Sequence, residues 1–256
     1  MKIPDLSQKL LNFDLNYGRS HVQDWCRAYF RDHAPAEVRV LDIGCSWCTD
    51  LKNIRNIATC PVTLLGIEVN ERYVPGCTQA GVTVFPINIE RDDFPVGDRD
   101  LDIIILNQVL EHTKEIFFIF SEISRVLKPG GIVILGVPNL AALHNRLLLI
   151  LGRQPTNIEV LGPHVRGFTI SSLKKFIETG GYFQVTAVRG THFYGLPVPL
   201  STWLARLFPG GSASIYLLAA RTEKEGRFIE VLKATPFETN FYPGHREGGP
   251  SDPSGD

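Results

Sequence analysis

The chain has 256 residues, of which 44% are hydrophobic, and its formal net charge is −1. This length is typical of one domain with at most a small appendage, and the apolar content is enough to form a buried core. The near-neutral charge excludes the basic surface of a nucleic-acid-binding protein and the charge excess of a disordered chain. We therefore expect a globular protein that acts on a small molecule and binds no nucleic acid.

The cysteines and the apolar runs bear on localisation. Five cysteines are an odd number without the spacing of a secreted framework, so we expect reduced thiols in a cytoplasmic protein rather than disulfides. Cys45 and Cys48 form a C-x-x-C pair, but no second pair has that spacing, so we expect no bound metal. No signal peptide pattern opens the chain, and no apolar run approaches the roughly 20 residues that span a bilayer. We expect no integral membrane segment.

Strands and helices alternate through the first half of the chain. After a loose lead-in over 1–18, Ser20 is a candidate cap for a helix that ends at Pro35. Helices are predicted over 49–57 and 115–127, with a shorter helical or turn segment over 70–80, and Lys128–Gly131 is a predicted helix stop. Short apolar runs rich in β-branched residues predict buried strands over 38–43, 62–67, 82–86, 101–106 and 132–137.

The second half is less regular. Helices are predicted over 140–151, 169–179 and 197–209, and strands over 183–189 and 214–220. The fold class is therefore α/β, a doubly wound, Rossmann-like, mainly parallel sheet of about seven strands with helices on both faces. We expect an N-terminal lead-in and helix over 1–35, a main domain over 36–222 with a substrate-cap insert near 140–210, and an extension over 223–256. The extension should be disordered after about residue 243.

The turn after the first strand is suited to a ligand. Gly44 ends that strand and lets a ligand approach the main chain, and the next helix begins at Thr49 or Asp50, either of which is a plausible cap. A strand, a tight turn and a helix N-terminus form a cradle of N–H groups. Glu68 closes the second strand, where a carboxylate can reach a ribose diol, although it could also be a simple solvent-facing strand end. These features predict a nucleoside-bearing cofactor.

Five segments in order resemble the class I S-adenosylmethionine-dependent methyltransferases. They are VLDIGCSWC at 40–48, GIEVN at 66–70, INIE at 87–90, LNQVLEH at 106–112 and RVLKPGGIVILGVPN at 125–139. The resemblance covers roughly residues 38–190 and implies S-adenosyl-L-methionine as the cofactor and methyl transfer as the reaction. It also implies contacts to the methionine and sugar from the first loop, to the ribose and adenine from the next two segments, and to the sulfonium from the fourth. The residues of the first loop are Asp42, Gly44, Cys45 and Ser46. Those for the ribose and adenine are Glu68, Val69, Asn88 and Ile89, and those near the sulfonium are Asn107 and Gln108.

Alternatives remain for some of these residues and for the whole chain. Asp42 could organise its own loop, and Asn107 could cap the following helix. The family usually has glycine where this chain has Ser46 and Cys48, and positive backbone angles there would cost roughly 1 kcal/mol or more each. A non-catalytic protein of the same fold, binding a nucleoside or a protein partner, is therefore the second hypothesis. A nicotinamide-dependent oxidoreductase is disfavoured because G-x-G-x-x-G is absent at the first turn.

Residues near the acceptor come from three later segments. His112 is a candidate general base, because imidazole titrates near neutral pH, or it forms a structural pair with Glu111. His144 lies on a predicted apolar helix and faces substrate or solvent. His164 and Arg166 lie in the loop where this fold usually builds its acceptor site, and Arg166 would suit an acidic or phosphorylated acceptor.

The acceptor itself is predicted only as a class. No NPPY-like motif follows the fourth strand, which argues against a nucleic-acid base. The later segments look similar to bacterial methyltransferases of polysaccharide or lipid-linked glycan assembly, so we expect transfer to an oxygen or nitrogen of a small molecule, with a sugar hydroxyl first. Trp203 and its apolar neighbours form core, an oligomer contact or a peripheral membrane contact. The chain is expected to be a monomer or a homodimer.

Overall fold

The computed structural model describes residues 18–234, so the predicted lead-in over 1–17 and the tail beyond 234 lie outside the described residues. A single sheet of seven strands runs through the described part, and all seven strands were predicted, with small differences at their ends except at the start of the fifth. The strands are β1 (Val38–Ile43), β2 (Val62–Ile67), β3 (Thr83–Phe85), β4 (Leu101–Asn107), β5 (Leu127–Pro138), β6 (Phe183–Gly190) and β7 (Ser214–Arg221).

Helices connect the strands and cover both faces of the sheet. They are α1 (Arg19–His33), α2 (Thr49–Ile57), α3 (Val74–Gln79), α4 (Ile116–Val126), α5 (Leu143–Ile150), α6 (Ile170–Glu178), α7 (Val198–Leu207) and α8 (Val231–Ala234), with short 3₁₀ turns between several of them. Among residues 18–234, none of the helices combines the length and the apolar character that crossing a bilayer requires.

The strand order places a ligand crevice beside β1. The order is β3-β2-β1-β4-β5-β7-β6; the first five strands pair in parallel, and β7 runs antiparallel to both β5 and β6. This arrangement confirms the predicted fold class. Connections leave in opposite directions from β1 and β4, and ligands of open α/β sheets bind at the carboxyl ends of the strands at such a switch point.

Two apolar layers hold the sheet between the helices. Along β1, Val38 and Val40 are buried against α1 and α2, whereas Leu41 and Ile43 are buried in the layer that contains α4. Burial on both faces explains the nearly continuous apolar run in the sequence of this strand. Packing on both faces holds the central strands, and the loops that leave their carboxyl ends start from fixed positions.

Three local predictions are corrected by the structure. Gly18, with φ of 59°, precedes α1 in place of a Ser20 cap. Cys48 occupies the cap position of α2, with no capping bond from Thr49 or Asp50. The strand β5 begins at Leu127, so Lys128–Gly131 lies within the strand rather than in a turn before it, because Leu101 of β4 pairs with Leu127 across an irregularity in the ladder.

Candidate functional site

Three adjoining cavities lie at the carboxyl ends of β1, β2 and β4. We name them by one lining residue each. The Glu68 cavity has a volume of about 260 Å³ and is lined by Gly44, Ile67, Glu68, Val69, Ile87, Asn88, Ile89, Glu90, Val109 and Thr113. The Asp42 cavity, about 210 Å³, is lined by Arg19, Asp42, Gly44, Cys45, Ser46, Trp47, Thr49, Asp50, Asn107 and Gln108. The His164 cavity is the largest, about 390 Å³, and is lined by Gly18, Gln108, Pro138, His144, Asn145, Thr156, Asn157, His164, Thr191, His192, Tyr194, Ala213 and Ser214.

The cavities are adjacent, and neighbouring ones share a lining residue. Gly44 lines both the Glu68 and the Asp42 cavity, and Gln108 lines both the Asp42 and the His164 cavity. All ten residues that the sequence predicts for the cofactor line the first two cavities, and His144 and His164 line the third. The fold therefore brings these predicted residues to adjoining cavities, with Gln108 between the second and the third.

Glu68 is fixed by the loop that it follows. Its carboxylate accepts hydrogen bonds from the backbone N–H groups of Ser46 (2.9 Å) and Asn70 (2.8 Å), and the residue is only 9% exposed. A carboxylate has about four lone-pair positions, so two remain for hydroxyl donors. Asn88 is also engaged locally, because its side-chain oxygen accepts a bond from the N–H of Glu90 (3.0 Å). One side of this cavity therefore presents two hydrogen-bond acceptors held by local bonds, the Glu68 carboxylate and the Asn88 side-chain oxygen, beside the exposed Val69.

The Asp42 cavity holds two buried acids. Burial, followed by the neighbouring charge of Asp50, raises the pKa of Asp42 well above its usual value, and Arg19 opposes the shift. Burial also raises the pKa of Asp50, which a hydrogen bond from Asn107 opposes. Asn107 donates from Nδ2 to Asp50 (3.1 Å) and accepts from the hydroxyl of Tyr216 (2.8 Å). Two crowded carboxylates favour a cation in this cavity.

Arg19 and Asp50 were missed as site residues. The Nε atom of Arg19 lies 3.5 Å from a carboxylate oxygen of Asp50, across the cavity mouth. An arginine at this wall can bind a carboxylate, and the acids beside it can bind an amine, so the pair suits the zwitterionic end of an amino acid. Asp50 could have been suspected from its place in the first turn of α2. Nothing in the sequence relates Arg19 to it, because the two residues meet only through the packing of α1 on α2.

The loop after β1 keeps positive backbone angles at residues other than glycine. Gly44 has φ of 73°, Ser46 has 48° and Cys48 has 54°, as expected for positions where glycine is usual. A Cβ atom on Gly44 would lie 2.7 Å from Cγ2 of Val109, which is too close for a real contact. Gln108, on the other side of the crevice, also has a positive φ of 60°. Strain of this kind persists where the surrounding structure fixes the backbone.

The cysteines of this loop correct a prediction. Cys48 and Cys77 form a disulfide, so the expectation that all five thiols are reduced is wrong. The two residues are 29 positions apart in sequence and meet because α3 packs beside the loop, which no local spacing reveals. The Sγ atom of Cys45 lies 3.7 Å from that of Cys48, and burial raises the pKa of the Cys45 thiol to about 12. The disulfide ties the β1–α2 loop to α3.

The His164 cavity contains three histidines and a tyrosine. Nε2 of His144 lies 3.2 Å from the hydroxyl oxygen of Thr156, and its ring contacts Tyr194 edge-on at 4.6 Å between centroids. Burial lowers the pKa of His144, which favours the neutral ring. His192 also contacts Tyr194, with 5.1 Å between centroids. The lining of this cavity, within residues 18–234, therefore offers imidazole, phenol, hydroxyl and amide groups and includes no lysine or arginine.

Arg166 lies outside this lining. Its guanidinium donates to the backbone carbonyls of Thr113 (3.2 Å) and Lys114 (2.6 Å). The interactions of this side chain hold the 163–168 loop against the segment after β4, so it does not extend into the cavity as an anion-binding group. The expected role for an acidic or phosphorylated acceptor therefore gains no support from its placement.

His112 and Glu111 lie beside the cavity, behind His164. The ring of His112 is 4.7 Å from that of His164 between centroids, and burial lowers the pKa of His112. Glu111 is 2% exposed, and burial raises its pKa to about 7. One oxygen of Glu111 lies 4.0 Å from Nε2 of His112, so the two residues are adjacent without a direct hydrogen bond.

Residues 27–183, more than half of the chain, match the family described as "Methionine biosynthesis protein MetW". The chain belongs to the MetW family. The matched residues include the β1–α2 loop, Glu68 and the whole turn after β4, so the family sequence pattern spans the first two cavities and His112.

Comparisons with individual proteins agree with the family. A protein of Mycolicibacterium smegmatis, named "Probable S-adenosylmethionine-dependent methyltransferase", is 31% identical over 64% of this chain and 58% of its own length. The chain spans between about a third and three fifths of the length of the curated relatives that it matches, 32% and 58%.

Two solved structures show how general the fold is. A SAM-dependent methyltransferase from Archaeoglobus fulgidus superposes with a TM-score of 0.52 at 16% identity, covering 78% of this chain and 94% of that one. The cyclase SpnF superposes with a TM-score of 0.55 at 16% identity, covering 79% and 81%. At such identities the likeness establishes the methyltransferase fold alone. One of the two is named for a cyclisation, so the reaction has to be argued from the site.

Proposed function

We propose that this MetW-family chain is an enzyme that transfers a methyl group from S-adenosyl-L-methionine to a hydroxyl of a small, sugar-like acceptor. The arrangement of the three adjoining cavities carries the proposal. A cofactor with a nucleoside at one end and an amino acid at the other matches an acidic, glycine-rich crevice whose two halves meet at Gly44. The third cavity adjoins the second at Gln108 and provides the space for an acceptor.

The residues present fit this cofactor. The two remaining acceptor positions of Glu68 suit a ribose diol, and the exposed Val69 offers a surface for the adenine. Asp42, Asp50 and Arg19 suit the ammonium and carboxylate of the methionine part. When bound, the cofactor supplies an electrophilic methyl group on a cationic sulfur. The buried acids near the crevice stabilise positive charge without being positioned as nucleophiles.

The chain's own contribution to the reaction is orientation and control of the acceptor proton. Gln108 separates the cofactor side from the acceptor side, so it aligns the two partners, and alignment supplies much of the rate of a displacement. A histidine Nε2 in or beside this cavity would accept the proton that the acceptor hydroxyl loses on methylation. His112 and His164 are the candidates for this role.

An acceptor with an apolar carrier needs an apolar surface near the cavity, and α5 and α7 provide one. On α5, Leu147 is 55% and Ile150 79% exposed; on α7, Trp203 is 56% exposed. Arg146 of α5 donates to the carbonyl of Gly210 (3.1 Å), which joins α5 to the end of α7. His144, on the same helix, lines the cavity. These positions support a lipid-linked glycan as the acceptor class.

Two measurements test the proposal. Isothermal titration with S-adenosyl-L-methionine should show one binding event per chain, and a screen of labelled methyl transfer against glycan and lipid-linked glycan fractions should show transfer to a hydroxyl. Binding without transfer to any fraction would favour the second hypothesis, a non-catalytic nucleoside-binding protein, which the strained Ser46 and Cys48 positions motivate. Absence of any heat at millimolar cofactor would refute the cofactor assignment.

A further inference from the structure

Glu111, His112 and His164 form a cluster of metal-ligand type. One carboxylate oxygen and one nitrogen from each ring all lie within 4.8 Å of one another. Two histidines and one carboxylate are a donor set that binds divalent transition metals and leaves coordination positions open. The sequence did not predict this site, because His164 is 52 positions beyond His112 and reaches it only through the fold.

Both imidazoles are held with the same nitrogen available. Nδ1 of His112 lies 3.3 Å from the backbone carbonyl of Pro163, and Nδ1 of His164 lies 2.8 Å from that of Asn157. A carbonyl only accepts, so each Nδ1 carries the proton when the ring is neutral and each Nε2 presents a lone pair. Metal-binding histidines typically donate their other N–H to a carbonyl or carboxylate in this way.

Glu111 provides an independent observation. The residue is 2% exposed, and its Oε2 atom has no hydrogen-bond partner among residues 18–234. A buried carboxylate oxygen without a donor is costly, and such groups usually serve a ligand or a catalytic role. Its other oxygen lies near Nε2 of His112, at 4.0 Å. A cation bound between the carboxylate and the two rings would compensate the charge of this buried carboxylate.

The segment that carries His164 is anchored to the turn that carries the other two ligands. The backbone carbonyl of Glu111 accepts bonds from the N–H groups of Val165 (2.8 Å) and Arg166 (3.2 Å). The guanidinium of Arg166 adds its bonds to Thr113 and Lys114. The relative position of the three ligands is therefore fixed by two backbone bonds just after His164 and by the contact of Nδ1 of His112 with the carbonyl of Pro163 just before it. A metal site needs such preorganisation.

We propose that Glu111, His112 and His164 bind one divalent transition-metal ion, whose open positions hold two adjacent oxygen atoms of the acceptor. The binding of the ion stands on the cluster alone, whereas the role toward the acceptor rests on the proposed function. A lone pair of His112 that binds the ion is not free to accept a proton. The ion then takes over activation of the acceptor hydroxyl, whose proton passes to solvent, and the acceptor class narrows to compounds with neighbouring hydroxyls, as sugars have.

Mn²⁺ is the most discriminating probe. It suits a site with a carboxylate ligand. In the group of Cys45, Cys48 and Cys77, the last two are joined in the disulfide, so the remaining Cys45 thiol offers no competing site for this ion. The purified full chain, with its disulfide intact, is titrated with Mn²⁺ and the signal of the free ion is followed by electron paramagnetic resonance. We expect one ion bound per chain. Binding of none, or of several ions with no single strong site, overturns the proposal.

Matched variants locate the ion. Glu111→Gln and His164→Gln should each weaken Mn²⁺ binding by about 100-fold, since each removes a ligand and changes little volume. His144→Gln is the control, because it removes a histidine of the same cavity that is outside the cluster, and Mn²⁺ binding should be unchanged. Circular dichroism confirms that each variant is folded. Equal weakening by His144→Gln, or no effect of either ligand variant in a folded protein, refutes the assignment.

The role toward the acceptor is tested on the same sample. Addition of catechol, which has two adjacent hydroxyls, should displace water from bound Mn²⁺ and lower its effect on water-proton relaxation, whereas phenol should act at least tenfold more weakly. Equal effects of the two compounds refute chelation of the acceptor. A chain that binds S-adenosyl-L-methionine but no Mn²⁺ refutes this inference and leaves the proposed function intact. A chain that binds one Mn²⁺ at the cluster but no S-adenosyl-L-methionine supports the ion site and refutes the proposed function.

Discussion

The Cys48–Cys77 disulfide makes a stability prediction that the structure quantifies. It closes a segment of 29 residues that contains α2, β2 and the start of α3. In the chain-entropy account a cross-link of this span stabilises the folded state by about 3–4 kcal/mol, because it restricts the unfolded chain. We therefore expect the free energy of unfolding to fall by that amount when the bond is reduced.

The assay is urea unfolding with and without a phosphine reductant. It is best done in a Cys45→Ala background, because the Cys45 thiol lies 3.7 Å from Cys48 and could pair with it in place of Cys77. Adding Cys77→Ala should abolish the effect of reductant. Adding Cys60→Ala should preserve it, since Cys60 is a free, half-buried thiol outside the disulfide. The reasoning is wrong if reductant leaves the unfolding midpoint of the Cys45→Ala chain unchanged, or if the Cys77→Ala chain still responds.

Three further predictions concern Glu68, Glu122 and His21. Glu68→Ala should weaken cofactor binding by about 1–3 kcal/mol in isothermal titration, and unchanged affinity would remove Glu68 from the site. Glu122→Gln should lower the free energy of unfolding by about 3–5 kcal/mol, because Glu122 is 1% exposed and is the ion-pair partner of Arg125; a loss below 1 kcal/mol would contradict this. Burial lowers the pKa of His21, so its folded form binds fewer protons than the unfolded chain. The stability that the neutral His21 contributes is therefore present above pH 6.5 and is lost as the pH falls below that value. In urea unfolding, the difference in free energy of unfolding between the unsubstituted chain and His21→Gln should shrink below pH 6.5. A difference that is independent of pH would contradict the assignment.

The sequence predicted the central sheet because its strands are buried on both faces. The bounds of β1 and β2 agree with the predicted 38–43 and 62–67, and those of α2 agree with 49–57. In the two strands a mainly apolar run ends at Gly44 or at polar residues, and in α2 the apolar residues recur at helical spacing, so the local pattern is enough to place the ends. The edges of β3 and β5 were less accurate, since pairing with a neighbour decides where those strands begin.

The parts that could not be predicted are contacts between distant segments. Arg19 meets Asp50 through helix packing, and Cys48 meets Cys77 across a loop and a helix. His164 reaches His112 because the carbonyl of Glu111 binds the loop backbone. The sequence shows which residue types each segment contains, whereas the fold decides which residues of distant segments come into contact. For the same reason Arg166 was predicted as a ligand group, although its guanidinium is bound to two carbonyls.

The central claim is that one crevice holds a nucleoside beside Glu68 and an amino acid beside Asp42. A crystal structure of the chain with S-adenosylhomocysteine tests it most directly. The account predicts both ribose hydroxyls within hydrogen-bond distance of the Glu68 carboxylate, with the sulfur directed toward Gln108. Density for the compound elsewhere, or a crevice filled by Trp47 at saturating ligand, would contradict it.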